Sequence, residues 1–520
     1  MMPPRLRLLV AVSLGLACAV ASADAAAASA RRPNVLLIAV DDLNDWIGAL
    51  GGNPQAVTPH LDRFARQAGA VAFQRAYCPG PVCGPSRSAM LSGFMPHRSG
   101  IYANEHWMLR SELVQTHATL PEYFAKHGYR TLSSGKVFHK HNGVTEAGLA
   151  DHGQWAFQQW ECESGKNEVD PARRSSRGDN MIQGRPATSD RFRSQLGSDF
   201  AWGPIVGPKE ETLDFRTARW AERQLASLGT NQPFFMAVGI FQPHLDWHVP
   251  QEFFDRHPLE SIRLPEVKLD DLDDVVDEHG KPGSVASNDF LWVLENPPAF
   301  RLAVQAYLAA TSFADEAIGV ILDALARSPH ADNTIVVICG DHGWHLGEKL
   351  RFRKATLWAE STRTTLLMRV PGDRPAAVSP RLVNLIDLYP TLVDLAGLPA
   401  KPAEALDGRS FAPLFEDPSR PWSDHTLSVH TVGKAAAVIG ERWYLVSREG
   451  RPGELYDMQA DPLQWHNLIG SAAPEVVAAR RALERHVPDR FAPPVERNRG
   501  GGSGVPDPAL RQPRDLARLR

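Results

Sequence analysis

The chain of 520 residues carries 56 Lys+Arg against 60 Asp+Glu, is 43% hydrophobic and holds only five cysteines. A formal net charge of -4 excludes a protein built to bind a phosphate backbone, which needs a basic excess. The ordinary apolar content excludes wholesale disorder, and so few cysteines exclude a disulfide-built scaffold.

The chain opens with Arg5 and Arg7, an apolar run over 8–20, and then small residues. Basic end, short hydrophobic core and Ala-x-Ala sites predict a signal peptide over 1–30, cleaved after Ala23 or Ala30. The run is too short to span a bilayer, so no stable membrane insertion is expected. The expected destination is the periplasm or the extracellular space, or a lysosomal-type compartment in a eukaryote.

Further along, short runs apolar on both faces read as buried strands. The run at 35–40 enters Asp41-Asp42, and that at 129–132 leads to Gly135-Lys136. The run at 234–240 precedes Gln242-Pro243-His244, and that at 334–339 passes Gly340 into Asp341-His342. Helical patterns at 59–67 and 307–325 lie between them. The predicted fold is α/β, with a mostly parallel central sheet flanked by helices. Ligands of such sheets bind beyond the carboxyl ends of the strands, where four ends here deliver Asp, His and Lys. The polar segment 161–199 reads as a long loop rimming that edge, and its Arg173, Arg174, Arg177 and Arg185 would favour an acidic substrate. A catalytic domain is expected over 31–400 and a smaller C-terminal α+β subdomain over 401–492, with strands at 435–439 and 443–446. The Gly-rich stretch at 500–504 predicts a disordered tail over 493–520.

Asp41, Asp42 and Asp341 are hard oxygen donors, and three carboxylates converging at strand ends would repel one another without a cation. One calcium ion suits such a set. No phosphate loop, dinucleotide fingerprint, nucleophile elbow or zinc helix is present. The most informative run is Cys83-Gly84-Pro85-Ser86-Arg87, followed by a helical stretch to Gly93. A cysteine at a helix start beside Arg87 is expected to have a depressed pKa.

Cys-x-Pro-Ser-Arg resembles the signature of the type I sulfatases, in which this cysteine is oxidised to formylglycine. The resemblance extends to Asp41-Asp42, Gly135-Lys136-Val137-Phe138-His139, Gly340-Asp341-His342-Gly343 and Lys354, and to Glu454-Leu455-Tyr456-Asp457. Gly-Lys-Val-Phe-His and Gly343-Trp344-His345-Leu346-Gly347-Glu348 make it most similar to the iduronate-2-sulfatase branch. Two departures stand out: Phe94 ends the segment Leu91-Ser92-Gly93 where arginine is common, and Gln242 replaces a basic residue before Pro243-His244, which is expected to alter the substrate rim.

The resemblance implies an alkaline-phosphatase-like fold and hydrolysis of a sulfate monoester. It adds His342 and the formylglycine at Cys83 to the calcium ligands Asp41, Asp42 and Asp341. The aldehyde hydrate would attack sulfur and expel the alcohol, and its second hydroxyl would then expel sulfate. Arg87, Lys136 and Lys354 would donate to the sulfate oxygens, His139 would deprotonate the hydrate, and His244 and Lys354 would protonate the leaving alkoxide. The implied partners are a sulfated carbohydrate, such as a uronate 2-O-sulfate of a glycosaminoglycan-like polymer, and a formylglycine-generating maturation enzyme. Arylsulfatase, choline sulfatase and phosphonate monoester hydrolase are alternatives on the same fold, and an unmodified carbohydrate-binding protein is a non-catalytic one. Of the cysteines, Cys339 is expected to be buried and inert, while Cys78 and Cys162 could pair or stay free.

Overall fold

The computed structural model describes residues 32–139, 155–161, 200–205, 207–276, 279, 281–401, 405–430, 435–449, 451–496 and 514–520. The signal segment, Cys162 and the arginines at 173, 174, 177 and 185 lie outside the described residues.

Nine strands form the main sheet: β1 (Asn34–Val40), β2 (Ala70–Tyr77), β3 (Arg130–Gly135), β4 (Gln159–Glu161), β5 (Phe234–Ile240), β6 (Thr334–Gly340), β7 (Arg363–Thr364), β8 (Leu366–Arg369) and β9 (Ala377–Asn384). Their order is β7-β2-β8-β6-β1-β5-β3-β4, with β9 beside β2. From β6 to β4 every neighbour is parallel. On the other side β8 runs antiparallel to both β6 and β2. The sheet is thus mostly parallel, as expected.

The sheet is buried on both faces because its central strands carry no polar alternation. Leu36, Ile38 and Val40 of β1 join one core cluster and Val35 and Leu37 the other. Helices α3 (Leu213–Ser227) and α4 (Pro297–Arg327) pack on the first face. Helix α4 begins ten residues before the apolar pattern that predicts it. Pro297 and Pro298 occupy its first turn, where the missing N–H costs nothing. Helix α2 (Cys83–Ser92) is buried along its whole length, with Met90 and Leu91 in the second cluster.

An antiparallel sheet follows, formed by β10 (His425–His430), β11 (Ala435–Gly440), β12 (Trp443–Arg448) and β13 (Arg451–Asp457). Val438, Leu445 and Leu455 on one face meet Val476 and Leu483 of α5 (Pro474–Glu484). Ala437, Ile439, Tyr444 and Val446 on the other face join the main core. The Tyr444 hydroxyl donates to the Leu357 carbonyl at 2.6 Å, tying this sheet to the segment that carries Lys354.

The last seven residues depart from the disordered tail expected over 493–520. Leu519 is buried in the second core cluster, and Arg514 donates to both carboxylate oxygens of Glu122 and to the Val114 carbonyl. Glu122 is itself buried and closes a capping box with Thr119. Composition misleads here because a single Leu and a single Arg anchor the segment. Arg514→Ala leaves a buried carboxylate short of its cation and is expected to cost about 1–3 kcal/mol. A lower denaturant midpoint with an unchanged slope would register it. Among the described residues no helix is long and apolar enough to cross a membrane.

Candidate active site

The register of the parallel strands builds the site. Val40 lies opposite both Ile240 and Gly340, and Gly135 lies opposite Gly239. The residues that follow, Asp41, Lys136, His244 and Asp341, therefore emerge along one edge. Close approach of the backbones demands glycine: a Cβ on Gly239 would stand 2.1 Å from the carbonyl carbon of Lys136.

The three aspartates converge. Asp41, Asp42 and Asp341 each present a carboxylate oxygen within 4.8 Å of the others, and all three side chains are buried. The Asp42 amide donates to Asp341 at 3.0 Å, and Asp42 itself sits at φ 60°. The Tyr307 hydroxyl holds the Asp42 carbonyl at 2.8 Å while accepting from the Asn44 amide at 3.1 Å. Burial pushes the Asp42 carboxyl up to about 7, and Asp41 and Asp341 reinforce the rise against Lys354. Burial would also raise Asp41, but Lys136, His244, Arg87 and Lys354 together hold it well below the usual carboxylate range.

Cys83 opens helix α2. Lys354 donates to its sulfur at 3.0 Å, and His342 Nε2 lies 3.3 Å away. Lys354 also pairs with Asp42, and Lys136 with Asp41. The thiol pKa is raised, first by burial and then by Asp41. This reverses the depressed value expected from a helix start beside arginine. Burial is the larger influence, and Arg87 spends its hydrogen bonds on other partners. Its guanidinium is fully buried and donates to Asp341 at 2.8 Å, to Asp41 at 3.0 Å, and to the carbonyls of Lys136 and Val137. Arg87 thus clamps the ends of β1, β3 and β6 together.

Residual exposure distinguishes the groups. The side chain of His244 is 21% exposed, that of Lys354 15% and that of Lys136 9%, whereas Asp41 and Asp42 have none. A ligand therefore meets these three nitrogen groups before the carboxylates. Burial would lower Lys354, yet Asp42 foremost, then Cys83, holds its ammonium well above the ordinary lysine value. His244 is pushed well below the ordinary histidine value by burial, then by Lys354 and Lys136, and is neutral. Its Nδ1 lies against the Leu245 carbonyl, which can only accept. The proton thus sits on Nδ1, and a bare Nε2 points toward Asp41 and Asp42, 4.0 and 3.9 Å away. His342 repeats the pattern: Nδ1 meets the Gly343 carbonyl at 2.9 Å, leaving Nε2 to face Cys83 and, at 3.3 Å, Asp42. Burial brings its pKa down to about 4. His139 lies three residues past Lys136 and is half-buried.

These residues fit a divalent cation. Asp42 Oδ2 is buried without a hydrogen-bond partner among the described residues, and the bare Nε2 of His342 faces the same oxygens.

Several supports escaped the sequence. Ser86 donates to the Asp341 carbonyl at 2.5 Å, and Asn104 accepts from the Gly84 amide at 2.7 Å. Trp344 lies 5.2 Å below the Lys354 ammonium. Gln242, expected to alter a substrate rim, is fully buried, with its amide donating to Asp214 and its side chain to the Asp246 carbonyl. Cys339 is buried against Met90, as expected. Cys78 is a buried thiol beside Ser428, and its proposed partner Cys162 is not among the described residues.

The mostly parallel sheet with its antiparallel appendage has the alkaline-phosphatase-like fold. The sulfatase family model matches residues 33–398, and the model for the C-terminal part of N-sulphoglucosamine sulphohydrolase matches 340–488. The chain belongs to the sulfatase family and is a sulfuric ester hydrolase. It is 34% identical over 452 residues to a sulfatase of Formosa agariphila, covering 84% of this chain and 83% of that one. It is 31% identical over 407 residues to iduronate 2-sulfatase of Mus musculus, covering 71% and 69%. Among solved structures it is similar to a 2-O GAG sulfatase, with a TM-score of 0.60 and 23% identity over 88% of this chain and 92% of that one.

Proposed function

We propose that this sulfatase removes sulfate from a carbohydrate, with residue 83 oxidised to formylglycine and a calcium ion held by Asp41, Asp42 and Asp341. The observation that carries the reading is the position of Cys83, whose side chain faces Lys354, His342 and the aspartates at the foot of the site. Left as a thiol, this residue is a poor nucleophile, because burial among carboxylates disfavours its thiolate. An aldehyde hydrate at the same place supplies hydroxyl oxygens that need only a nearby base. His342, through Nε2, joins the cation ligands. When bound, the cation would offset charge on sulfate oxygens.

The surrounding side chains then divide the work. Lys136 and Lys354 are the exposed cations and bind the ester oxygens. Lys354, protonated in the resting site, delivers a proton to the leaving alkoxide and is reprotonated before the next turnover. His244, with Nε2 bare, accepts a hydrogen bond at the mouth in place of the acid role first expected. His139, three residues past Lys136, remains the candidate base. Arg87 positions the two aspartates. Export by the segment 1–30 and conversion by a maturation enzyme belong to the same reading.

The likeness to iduronate 2-sulfatase and to a 2-O GAG sulfatase supports a sulfated uronate within a glycosaminoglycan-like polymer as the substrate. Mass spectrometry of the tryptic peptide 76–87 from the native host tests the nucleophile. Replacement of thiol by aldehyde at position 83 is the expected result, and an intact thiol in active protein would overturn it.

A further inference from the structure

A second cluster of metal-ligating side chains lies outside the catalytic carboxylates. His425 is the first residue of β10, and His486 stands just beyond the end of α5. Their imidazole rings stack at a centroid distance of 3.6 Å and an interplanar angle of 22°. Asp424 accepts from His425 Nδ1 at 2.8 Å. One ligand atom from each of Asp424, His425 and His486 lies within 4.8 Å of the others.

Three points favour a ligand over a mere surface contact. Two imidazoles stacked at 3.6 Å would repel one another as cations, and one shared metal ion in place of their protons removes that repulsion. The ring nitrogens of His486 take no hydrogen bond among the described residues, so its lone pair is available. Asp424 Oδ1 and His425 Nδ1 lie 2.8 Å apart, so an ion that replaces the proton between them can be reached by both atoms. Asp424 and His425 also edge a cavity of about 310 Å³ lined by Asp387, Asp407, Arg409 and Trp422.

We infer that Asp424, His425 and His486 form a binding site for a borderline transition-metal ion of the zinc class. Imidazole nitrogens with one carboxylate suit zinc, and three protein ligands leave a position for water. The site differs from the catalytic one in kind: two nitrogens lead here, where three carboxylates lead there. Its ligands come from the antiparallel sheet and from the end of the helix packed on it. A bound ion would therefore clasp α5 to β10 and stabilise the folded state in proportion to its occupancy.

The test uses the full chain with calcium present in excess, which keeps the carboxylate site occupied. Zinc chloride is titrated calorimetrically into the wild type, His425→Ala, His486→Ala and the milder His486→Gln. One zinc equivalent is expected in the wild type, weakened at least about tenfold in each variant. Zinc should also raise the melting temperature of the wild type and leave that of the variants unmoved. Circular dichroism confirms that the variants are folded, and their calcium affinity should match the wild type. Equal zinc binding by wild type and variants would overturn the inference, and so would failure of the wild type to bind zinc beside calcium.

Discussion

Alanine in place of Cys83 is expected to abolish sulfate-ester turnover while leaving the protein folded. The side chain removed is small and fully buried, so the cavity left behind should cost only about 1 kcal/mol. Its surroundings stay paired: Lys354 keeps Asp42, and Arg87 keeps Asp41 and Asp341. Catalysis fares differently, because in the proposed mechanism the covalent step runs through residue 83 alone. A fall in kcat of about 10³-fold or more is expected, in line with the loss of any covalent nucleophile. The comparison must use wild-type protein whose residue 83 is already converted. Retention of activity within tenfold would remove Cys83 from the mechanism.

The second large effect is loss of the cation. Chelation of the matured enzyme is expected to lower turnover by about 10²-fold or more, and calcium return should restore it. Three buried carboxylates explain the dependence: without a cation their charges are balanced only by Arg87, Lys136 and Lys354. The pH response follows from Asp42, whose carboxyl in the cation-free protein is pushed up to about 7. Below that pH the cation must displace a proton from Asp42, so calcium affinity should weaken steadily as pH falls from 8 to 6, approaching about tenfold per pH unit at the acid end. Above it Asp42 is already ionised and the dependence should flatten. Calcium titrations across this range read the effect directly. Turnover that survives chelation would refute the assignment of Asp41, Asp42 and Asp341.

The strands that matter most were the most legible part of the sequence. Runs such as 35–40 and 334–339 are apolar at successive positions because both faces of the sheet are covered, and their polar followers stand at the strand ends. The convergence of Asp41, Lys136, His244 and Asp341 follows from that alone. Features set by three-dimensional neighbours were not legible. Arg87 looked like a partner of Cys83 through sequence proximity, yet its charge is taken by carboxylates from two distant strands. The protonation of His244 depends on the carbonyl of Leu245, a matter of local backbone geometry that residue identity does not encode. Gln242 stood out as a departure at a rim and turned out to be interior. The anchoring of 514–520 depends on Glu122, hundreds of residues earlier.

The complete burial of α2 also sets a timetable. Its ten residues are enclosed by strands and helices drawn from across the chain, and the side chain at position 83 has no exposed surface. A second protein can grasp this stretch only while it is still extended, before β6 and the segment bearing Lys354 have closed over it. Under the proposed mechanism, conversion at this position must therefore precede folding, and a molecule that folds first would keep its thiol. Specific activity of a preparation would then record how the race between folding and conversion was run, with each molecule either fully competent or permanently silent.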